Sequence, residues 1–309
     1  MHDSVLVSTL AAAVVAGTPL VWASLGALLN ERAGILNLGV EGMMLLGACT
    51  AFLASHASGS AVVGLLAGML GGAGLAAVHA FSSITLRANQ IVSGLALTIF
   101  GSGLARFLGK PVEGATITGK IGDLPVPGLR SVPVLGPVLF EQDVLVYLSW
   151  VACTLAAFYL ARTRPGLSVR AVGDAPATAD AMGIRVSASR YAHTLAGGAL
   201  CGVGGAYLVL RVVSSWNQEG TTGGQGWIAL ALVVFAGWRP LLVVVGAYLF
   251  GLALRANFAL QGEGVQIPAE LLSMLPYLLT IAVLVVLSVT RRDGGAPQAL
   301  GRPFVRDER

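Results

Sequence analysis

The sequence predicts an all-α membrane protein that crosses the bilayer many times. Of the 309 residues, 55% are hydrophobic and only 11% are charged, whereas soluble globular domains carry about 25% charged residues. The apolar residues gather in runs of about twenty, and a helix of that length rises about 30 Å, which is the thickness of the hydrocarbon core of a bilayer. The 41 glycines would let such helices pack closely.

Nine apolar segments, within a range of eight to ten, are predicted to cross the membrane. They cover residues 5–28, 35–55, 61–86, 90–108, 143–162, 191–212, 223–237, 240–260 and 269–290. Residues 1–290 would form a single transmembrane domain, and residues 291–309 would form a cytoplasmic tail. This tail is polar and contains Gly294, Gly295, Pro297 and Pro303, so we expect it to be loosely ordered.

The basic residues predict the orientation of these segments. With the N-terminus outside, 13 of the 19 Lys and Arg residues lie at cytoplasmic positions. Because cytoplasmic loops are enriched in Lys and Arg, this bias favours an outside N-terminus and a cytoplasmic C-terminus. Residues 109–142 would then form an extracytoplasmic loop, in which Pro125, Pro127, Pro133 and Pro137 make a long regular element unfavourable.

A basic cytoplasmic loop at 163–190 interrupts the apolar sequence, and it is predicted to contain a short helix. Asp174 suits the N-cap, Pro176 suits the first turn, and Gly183 can adopt the left-handed conformation that ends a helix. A helix of two turns cannot bury itself alone. We therefore expect it to lie across the membrane surface and to offer one face to a partner.

The second apolar segment opens with a polar motif at Asn30–Gly42. If its helix starts near Ile35, Asn37 and Glu41 are four residues apart on one face, and Glu41 lies about 9 Å inside the membrane. A carboxylate at that depth usually faces a cavity or a partner. Asn37 and Glu41 would then lie beside a translocation pathway. Alternatively, Glu41 fixes helix packing through a hydrogen bond.

Two further polar clusters begin apolar segments. Asn89 and Gln90 could line the mouth of a pathway or cap the fourth helix, and capping is the favoured interpretation. Gln225 and Trp227 follow Gly223–Gly224 at the predicted outer start of the seventh segment, and Trp227 could be a pathway aromatic or an interfacial anchor. The predicted pathway residues are Asn37, Glu41, Asn89, Gln90, Gln225 and Trp227.

Enzyme chemistry finds little support in the sequence. The four histidines are scattered without metal-ligand spacing, and the three cysteines lie in apolar segments without a CxxC pair. No G-x-x-x-x-G-K-[ST] motif occurs, so this chain cannot bind ATP through such a loop. We therefore predict neither a metal site nor a catalytic site.

Three motifs in order resemble one family. Residues 30–48, N-E-R-A-G-I-L-N-L-G-V-E-G-M-M-L-L-G-A, resemble an early segment of permease subunits of ATP-binding-cassette (ABC) importers. The branch is the one that includes branched-chain amino acid, simple-sugar and nucleoside permeases. Residues 170–184 resemble its cytoplasmic coupling loop, and residues 224–240 resemble its third recurrent block. The N-L-G-V-E-G form is most similar to the nucleoside permeases.

The resemblance implies how such a chain would work. The 163–190 loop would dock into a groove of a separate ATPase subunit, so this chain would be a non-catalytic permease without a cofactor, and the partner would bind ATP. The resemblance also implies a second permease subunit of different sequence, an extracytoplasmic substrate-binding protein, surrounding lipid, no nucleic-acid partner, and a bacterial inner or plasma membrane. The residues that match the coupling pattern are Arg170, Gly173, Asp174, Ala179, Gly183 and Ile184.

Other functions remain open from the sequence. The same machinery could import simple sugars or branched-chain amino acids in place of nucleosides. A stand-alone secondary transporter would need ionisable groups in mid-membrane, where Glu41 is the main candidate and Arg106 and Arg211 lie only at segment ends. A membrane enzyme is disfavoured because the loops carry no convergent His, Asp or Cys cluster.

Overall fold

The computed structural model describes residues 2–117, 119–217, 221–262 and 295–306, with isolated positions 274, 278, 281, 282 and 285. Within these residues the regular structure is helical. The ten helices are α1 (His2–Arg32), α2 (Val40–Ser58), α3 (Ala61–Ala80), α4 (Gln90–Gly109), α5 (Val144–Arg162), α6 (Arg164–Asp174), α7 (Pro176–Ala181), α8 (Val186–Tyr207), α9 (Gln225–Phe235) and α10 (Pro240–Gly262). The ninth predicted segment, 269–290, lies outside the described residues apart from the isolated positions.

Six helices of the described chain are long and apolar enough to cross a membrane, namely α1, α2, α3, α4, α5 and α8. The protein is therefore an all-α polytopic chain, as predicted. Helix α9 has only 11 residues, which rise about 16 Å, roughly half of the bilayer core. The count of nine crossings and the orientation both stay predictions.

Glycines bring three of these helices into close contact. A Cβ on Gly72 would collide with Gly198 and Gly202 of α8, and a Cβ on Gly202 would collide with Gly68 of α3. Gly47 of α2 also packs against Gly202 of α8, since a Cβ on Gly47 would lie 2.6 Å from the Cα of Gly202. Close backbone approach of this kind is how membrane helices gain van der Waals contact without a hydrophobic driving force.

The carboxylate of Asp143 connects the segment between α4 and α5 to the rest of the bundle through hydrogen bonds. Asp143 accepts hydrogen bonds from the backbone of Leu145 and Val146, so it caps α5, and Tyr207 donates to its other oxygen at 2.5 Å. Arg211 pairs with both Asp143 and Asp123. This end of the bundle lies opposite the 163–190 loop, because the two flank α5.

Candidate translocation and coupling sites

The chain between α1 and α2 is buried although it is not helical. Helix α2 begins at Val40, so Asn37 lies outside it, and the predicted shared helical face of Asn37 and Glu41 is wrong. The Asn37 side chain accepts a hydrogen bond from the backbone N–H of Gly39 at 2.9 Å. This local turn competes with helix formation, which is why the helix starts later than the apolar pattern suggests.

Neighbouring helices satisfy the backbone of this irregular segment. The N–H of Leu36 donates to the Gln90 side chain at 2.7 Å, and His79 Nε2 lies 3.2 Å from the Leu36 carbonyl. The Thr98 hydroxyl donates to the carbonyl of Leu38 at 2.9 Å. Non-helical backbone inside a membrane protein is tolerated where the protein itself supplies such partners. Gln90 is thus a supporting residue of this turn.

Glu41, in the first turn of α2, binds the start of α9. Its carboxylate accepts hydrogen bonds from the Thr222 hydroxyl at 2.5 Å and from the backbone N–H groups of Gly224 at 3.2 Å and Gly226 at 2.6 Å. The free N–H groups and the dipole at a helix N-terminus favour a negative charge. The alternative in which Glu41 fixes helix packing therefore has direct geometric support.

Two described stretches, residues 213–217 and 221–238, follow the length of the bundle and are together called the interrupted segment. Trp216 packs against Gly109, the last residue of α4, whereas Thr222 reaches Glu41. Gly42, the neighbour of Glu41, packs against Leu97 of α4. Leu97 precedes Gly109 by twelve residues, which is about 18 Å along the helix. Helix α9 then continues to the end of α1. The seventh predicted helix therefore does not begin at the outer end of the bundle; it begins part-way along it.

The far end of α9 is tied to the end of α1. The indole N–H of Trp238 donates to Glu31 at 2.5 Å, and the Arg32 guanidinium donates to the Trp238 carbonyl at 2.7 Å. Trp238 has a φ of 55° and follows Gly237, with a φ of 56°. This is the tight turn expected of the Gly-Trp-Arg-Pro sequence. Both ends of α9 are therefore bound by carboxylates from one short stretch, Glu31 to Glu41.

The other predicted pathway residues fall into two groups. Asn89 caps α4, because its side chain accepts from the N–H groups of Ile91 and Val92, as the favoured interpretation expected. Gln225 and Trp227 open α9, and Trp227 is 40% exposed. Among the six predicted residues, Asn37, Glu41 and Gln90 are buried, while the Trp227 ring is open on the surface of this subunit.

The 163–190 loop folds into two helices. Thr163 caps α6 by accepting from the N–H of Gly166, and α6 runs to Asp174. Asp174 therefore ends one helix, and its predicted role as the N-cap of the next is wrong. Ala175 occupies that position in front of α7, without a side-chain cap. Gly183 has a φ of 83°, the left-handed conformation predicted for it.

The predicted coupling residues shape this loop from within. A Cβ on Gly173 would collide with the Arg32 carbonyl, so Gly173 permits α6 to touch the end of α1. Ala179 is buried in a small apolar cluster with Val172 and Val186, against which Ile184 packs. The surface that α7 presents outward is different. It comprises Ala177, Thr178, Ala181 and Met182, and Met182 is 78% exposed.

The C-terminal segment 295–306 is folded onto the coupling loop, so the expected loose order is wrong for these residues. The N–H of Ala299 donates to Gly173 at 2.9 Å, and the N–H of Gln298 donates to Asp174 at 3.4 Å. Arg306 forms an ion pair with Asp180 at 3.3 Å. The Gly and Pro residues that suggested disorder allow the turns of this compact segment.

The same segment also reaches the membrane helices. The N–H of Gly301 donates to the Gly34 carbonyl at 3.2 Å, and Arg190 of α8 donates to the Arg302 carbonyl at 3.1 Å. Composition did not reveal these contacts, since they reach backbone carbonyls of residues more than 100 positions away.

Comparison with known proteins identifies the family. The family described as "Branched-chain amino acid transport system / permease component" matches residues 9–284. The chain belongs to this permease family. The permease is therefore a multi-pass protein of the plasma membrane, in agreement with its six long apolar helices.

Several curated relatives resemble the permease along nearly their whole length. The "Putative glucose ABC transporter permease protein TsgC13" of Haloferax volcanii is 42% identical over 88% of this chain and 89% of its own. The guanosine ABC transporter permease protein NupQ of Bacillus subtilis is 35% identical over 96% of each chain. The nucleoside ABC transporter permease protein NupC of Lactococcus lactis is 35% identical over 94% of each chain.

A solved structure shares the fold. It is an inward-facing ABC transporter described as being of the metal-chelate type, with a TM-score of 0.52 and 16% identity over 92% of this chain and 85% of that chain. At this identity the likeness concerns the fold alone. The permease therefore shares its overall helical architecture with this solved chain.

Proposed function

We propose that the permease is the membrane subunit of an ABC importer that takes up nucleosides. The observation that carries the proposal is the end-to-end similarity to two relatives named for guanosine and nucleoside transport, each 35% identical. The N-L-G-V-E-G motif around Glu41 supports the same assignment. A nucleoside is neutral and polar, so it requires hydrogen bonds and stacking surfaces but no counter-charge.

The interrupted segment supplies a suitable place for the pathway. Discontinuous helices commonly form the substrate sites of transporters near the middle of the membrane. Gln225 and Trp227 begin α9 part-way along the bundle, and the exposed Trp227 ring offers a face on which a base could stack. The hydrogen bonds to the Glu41 carboxylate would fix the position of this helix start. In this proposal Asn37, Asn89 and Gln90 build the wall of the pathway and do not touch the substrate.

Coupling to ATP is proposed to occur through α7. The exposed group Ala177, Thr178, Ala181 and Met182 would enter a groove of a separate ATPase subunit, which binds and hydrolyses ATP. The permease itself would then be non-catalytic, and its assembly would include a second permease chain and an extracytoplasmic substrate-binding protein. The C-terminal segment would carry movement of the loop to Gly34 and Arg190, at the ends of the membrane helices.

A sugar substrate is the second candidate. It is favoured by the 42% identity to the relative named as a glucose ABC permease, which exceeds the identity to either nucleoside relative. The fold and the coupling mechanism would be the same for both substrates. The two candidates would differ only in how the residues that face the pathway contact the substrate.

Uptake by the reconstituted transporter distinguishes these substrates. The complete importer, with ATPase, second permease and binding protein, is placed in vesicles and offered radiolabelled guanosine, uridine or glucose. We expect ATP-dependent uptake of the nucleosides and no competition by glucose. Glucose uptake that guanosine does not inhibit would refute the nucleoside proposal. Nucleoside uptake without ATP would refute the importer mechanism and would favour a secondary transporter.

The docking surface has its own test. Met182→Asp places a charge on the exposed end of the α7 loop and should abolish co-purification of the ATPase. The control is Leu124→Asp, because Leu124 is also exposed, at 54%, and lies at the opposite end of α5. Retention of the ATPase by Met182→Asp, or its loss in both variants, would argue against docking through α7.

A further inference from the structure

A cavity of about 500 Å³ lies at the end of the bundle that carries the coupling loop. It is formed where α5 and α6 meet the turn between α9 and α10. Three arginines line it: Arg32 from α1, Arg170 from α6 and Arg239 from the turn. The remaining wall consists of Trp238 and apolar residues, which are Ala157, Leu160, Ala161, Pro240, Leu241 and Leu242.

Among the residues that the structure describes, no carboxylate forms an ion pair with these three arginines. By contrast, Arg211 and Arg306, which lie outside this cavity, do form carboxylate ion pairs. Arg32 donates to backbone carbonyls of Trp238 and Gly295, and Asp174 attracts it from a longer distance. In the described chain, Arg170 Nε is shielded from solvent yet has no hydrogen-bond partner. A bound anion would satisfy such a group and reduce the mutual repulsion of the three guanidinium groups.

The apolar wall indicates what kind of anion fits. Leu241 and Leu242 are 54% and 37% exposed, and they begin α10 directly beside Arg239. From α5, the apolar residues Ala157, Leu160 and Ala161 complete this wall. The cavity therefore has cationic groups at the helix ends and apolar groups along the membrane-spanning surface below them. A free phosphate would use the first part but not the second.

We propose that this cavity binds the headgroup of an anionic phospholipid. The phosphate would accept hydrogen bonds from Arg32, Arg170 and Arg239, and an acyl chain would lie along Leu241 and Leu242. Basic pockets between helices at the cytoplasmic side of membrane proteins bind such headgroups. The lipid would adjoin the Trp238–Arg32 contact, and so it would stabilise the junction of α1, α6 and α9.

The test measures lipid binding to the purified permease complex by native mass spectrometry and by thermal stability. Phosphatidylglycerol, phosphatidylcholine and inorganic phosphate are the three probes. Arg239→Gln removes one exposed charge, Arg239→Lys keeps it, and Arg130→Gln is the control on an exposed arginine in the segment between α4 and α5. We expect phosphatidylglycerol to bind about fivefold more weakly to Arg239→Gln, and with unchanged affinity to the other two variants.

Each contrary result overturns the proposal in a recognisable way. Equal binding of phosphatidylcholine would mean that the charge of the headgroup is irrelevant. Inorganic phosphate that displaces phosphatidylglycerol at equal concentration would identify a soluble anion as the ligand. If Arg239→Gln released the ATPase while phosphatidylglycerol binding stayed the same, the cavity would belong to the subunit interface.

Discussion

Replacement of Glu41 tests whether this carboxylate holds the interrupted segment or takes part in transport directly. Glu41→Ala removes all three hydrogen bonds to Thr222, Gly224 and Gly226 and leaves their donors without the acceptor. Hydrogen bonds to charged groups in soluble proteins contribute about 1.5–3 kcal/mol each. Hydrogen bonds between membrane helices contribute less, on average about 0.6 and at most about 1.7 kcal/mol.

The membrane values set the expected size of the effect. Three bonds of about 0.6–1.7 kcal/mol give a loss of about 2–5 kcal/mol in the free energy of unfolding. For a large single domain, 1 kcal/mol corresponds to about 2–4 °C in Tm, so Glu41→Ala should lower the Tm by about 4–20 °C. Glu41→Gln keeps one acceptor oxygen and should lose about half as much. Thr222→Val removes a single bond and should lose a few degrees.

The assay is thermal unfolding of the purified complex in mild detergent, followed by nucleoside uptake in vesicles. Glu141→Gln is the matched control. It makes the same chemical change at an exposed carboxylate, in the segment between α4 and α5. The reasoning is refuted if Glu41→Ala melts within about 2 °C of the unaltered protein. A Glu41→Gln variant that is fully stable but transports nothing would instead place Glu41 in the transport step.

Three further predictions concern single contacts. Gly226→Ala should destabilise the protein more than Glu41→Gln, as measured by Tm, because its Cβ would lie 2.5 Å from the backbone N and Cα of Glu41; an unchanged Tm would contradict this contact. Arg306→Glu should increase hydrogen exchange of the C-terminal segment, and the charge swap with Asp180→Arg should restore protection; exchange that the swap does not restore would show that the ion pair is dispensable. Gly183→Ala should cost about 1 kcal/mol and weaken ATPase co-purification, whereas Gly183→Asn, which tolerates a positive φ, should be mild; equal effects of the two variants would exclude backbone strain as the cause.

The length of the apolar runs correctly predicted the helices that cross the bundle without interruption. Predicted segments 61–86 and 143–162 agree with α3 and α5 within a few residues, because a long apolar run admits no alternative in a membrane. The sequence also predicted local backbone conformation correctly where a single residue determines it. Asn89 caps α4, and Gly183 adopts the left-handed conformation, without help from distant parts of the chain.

The errors arose where two local signals compete or where partners are distant. Thr163 and Asp174 are both good N-caps, and the cap at Thr163 prevails because α6 can then bury Val169 and Val172. The start of α9 depends on Glu41, whose partners lie 181–185 positions away. A single sequence contains no signal for that separation. The order of the C-terminal segment likewise depends on backbone partners such as Gly34 and Gly173.

The two predicted sites are joined by one short stretch of chain, Glu31 to Glu41. At one end, Glu31 and Arg32 bind the turn after α9, and Arg32 also touches Gly173 of the coupling loop through its carbonyl. At the other end, Glu41 binds the start of α9. A displacement of α6 therefore acts on both ends of an 11-residue helix, which is short enough to move as a unit. In the proposed coupling mechanism, helix α9 is the element through which movement at the ATPase-facing surface would alter access near Trp227.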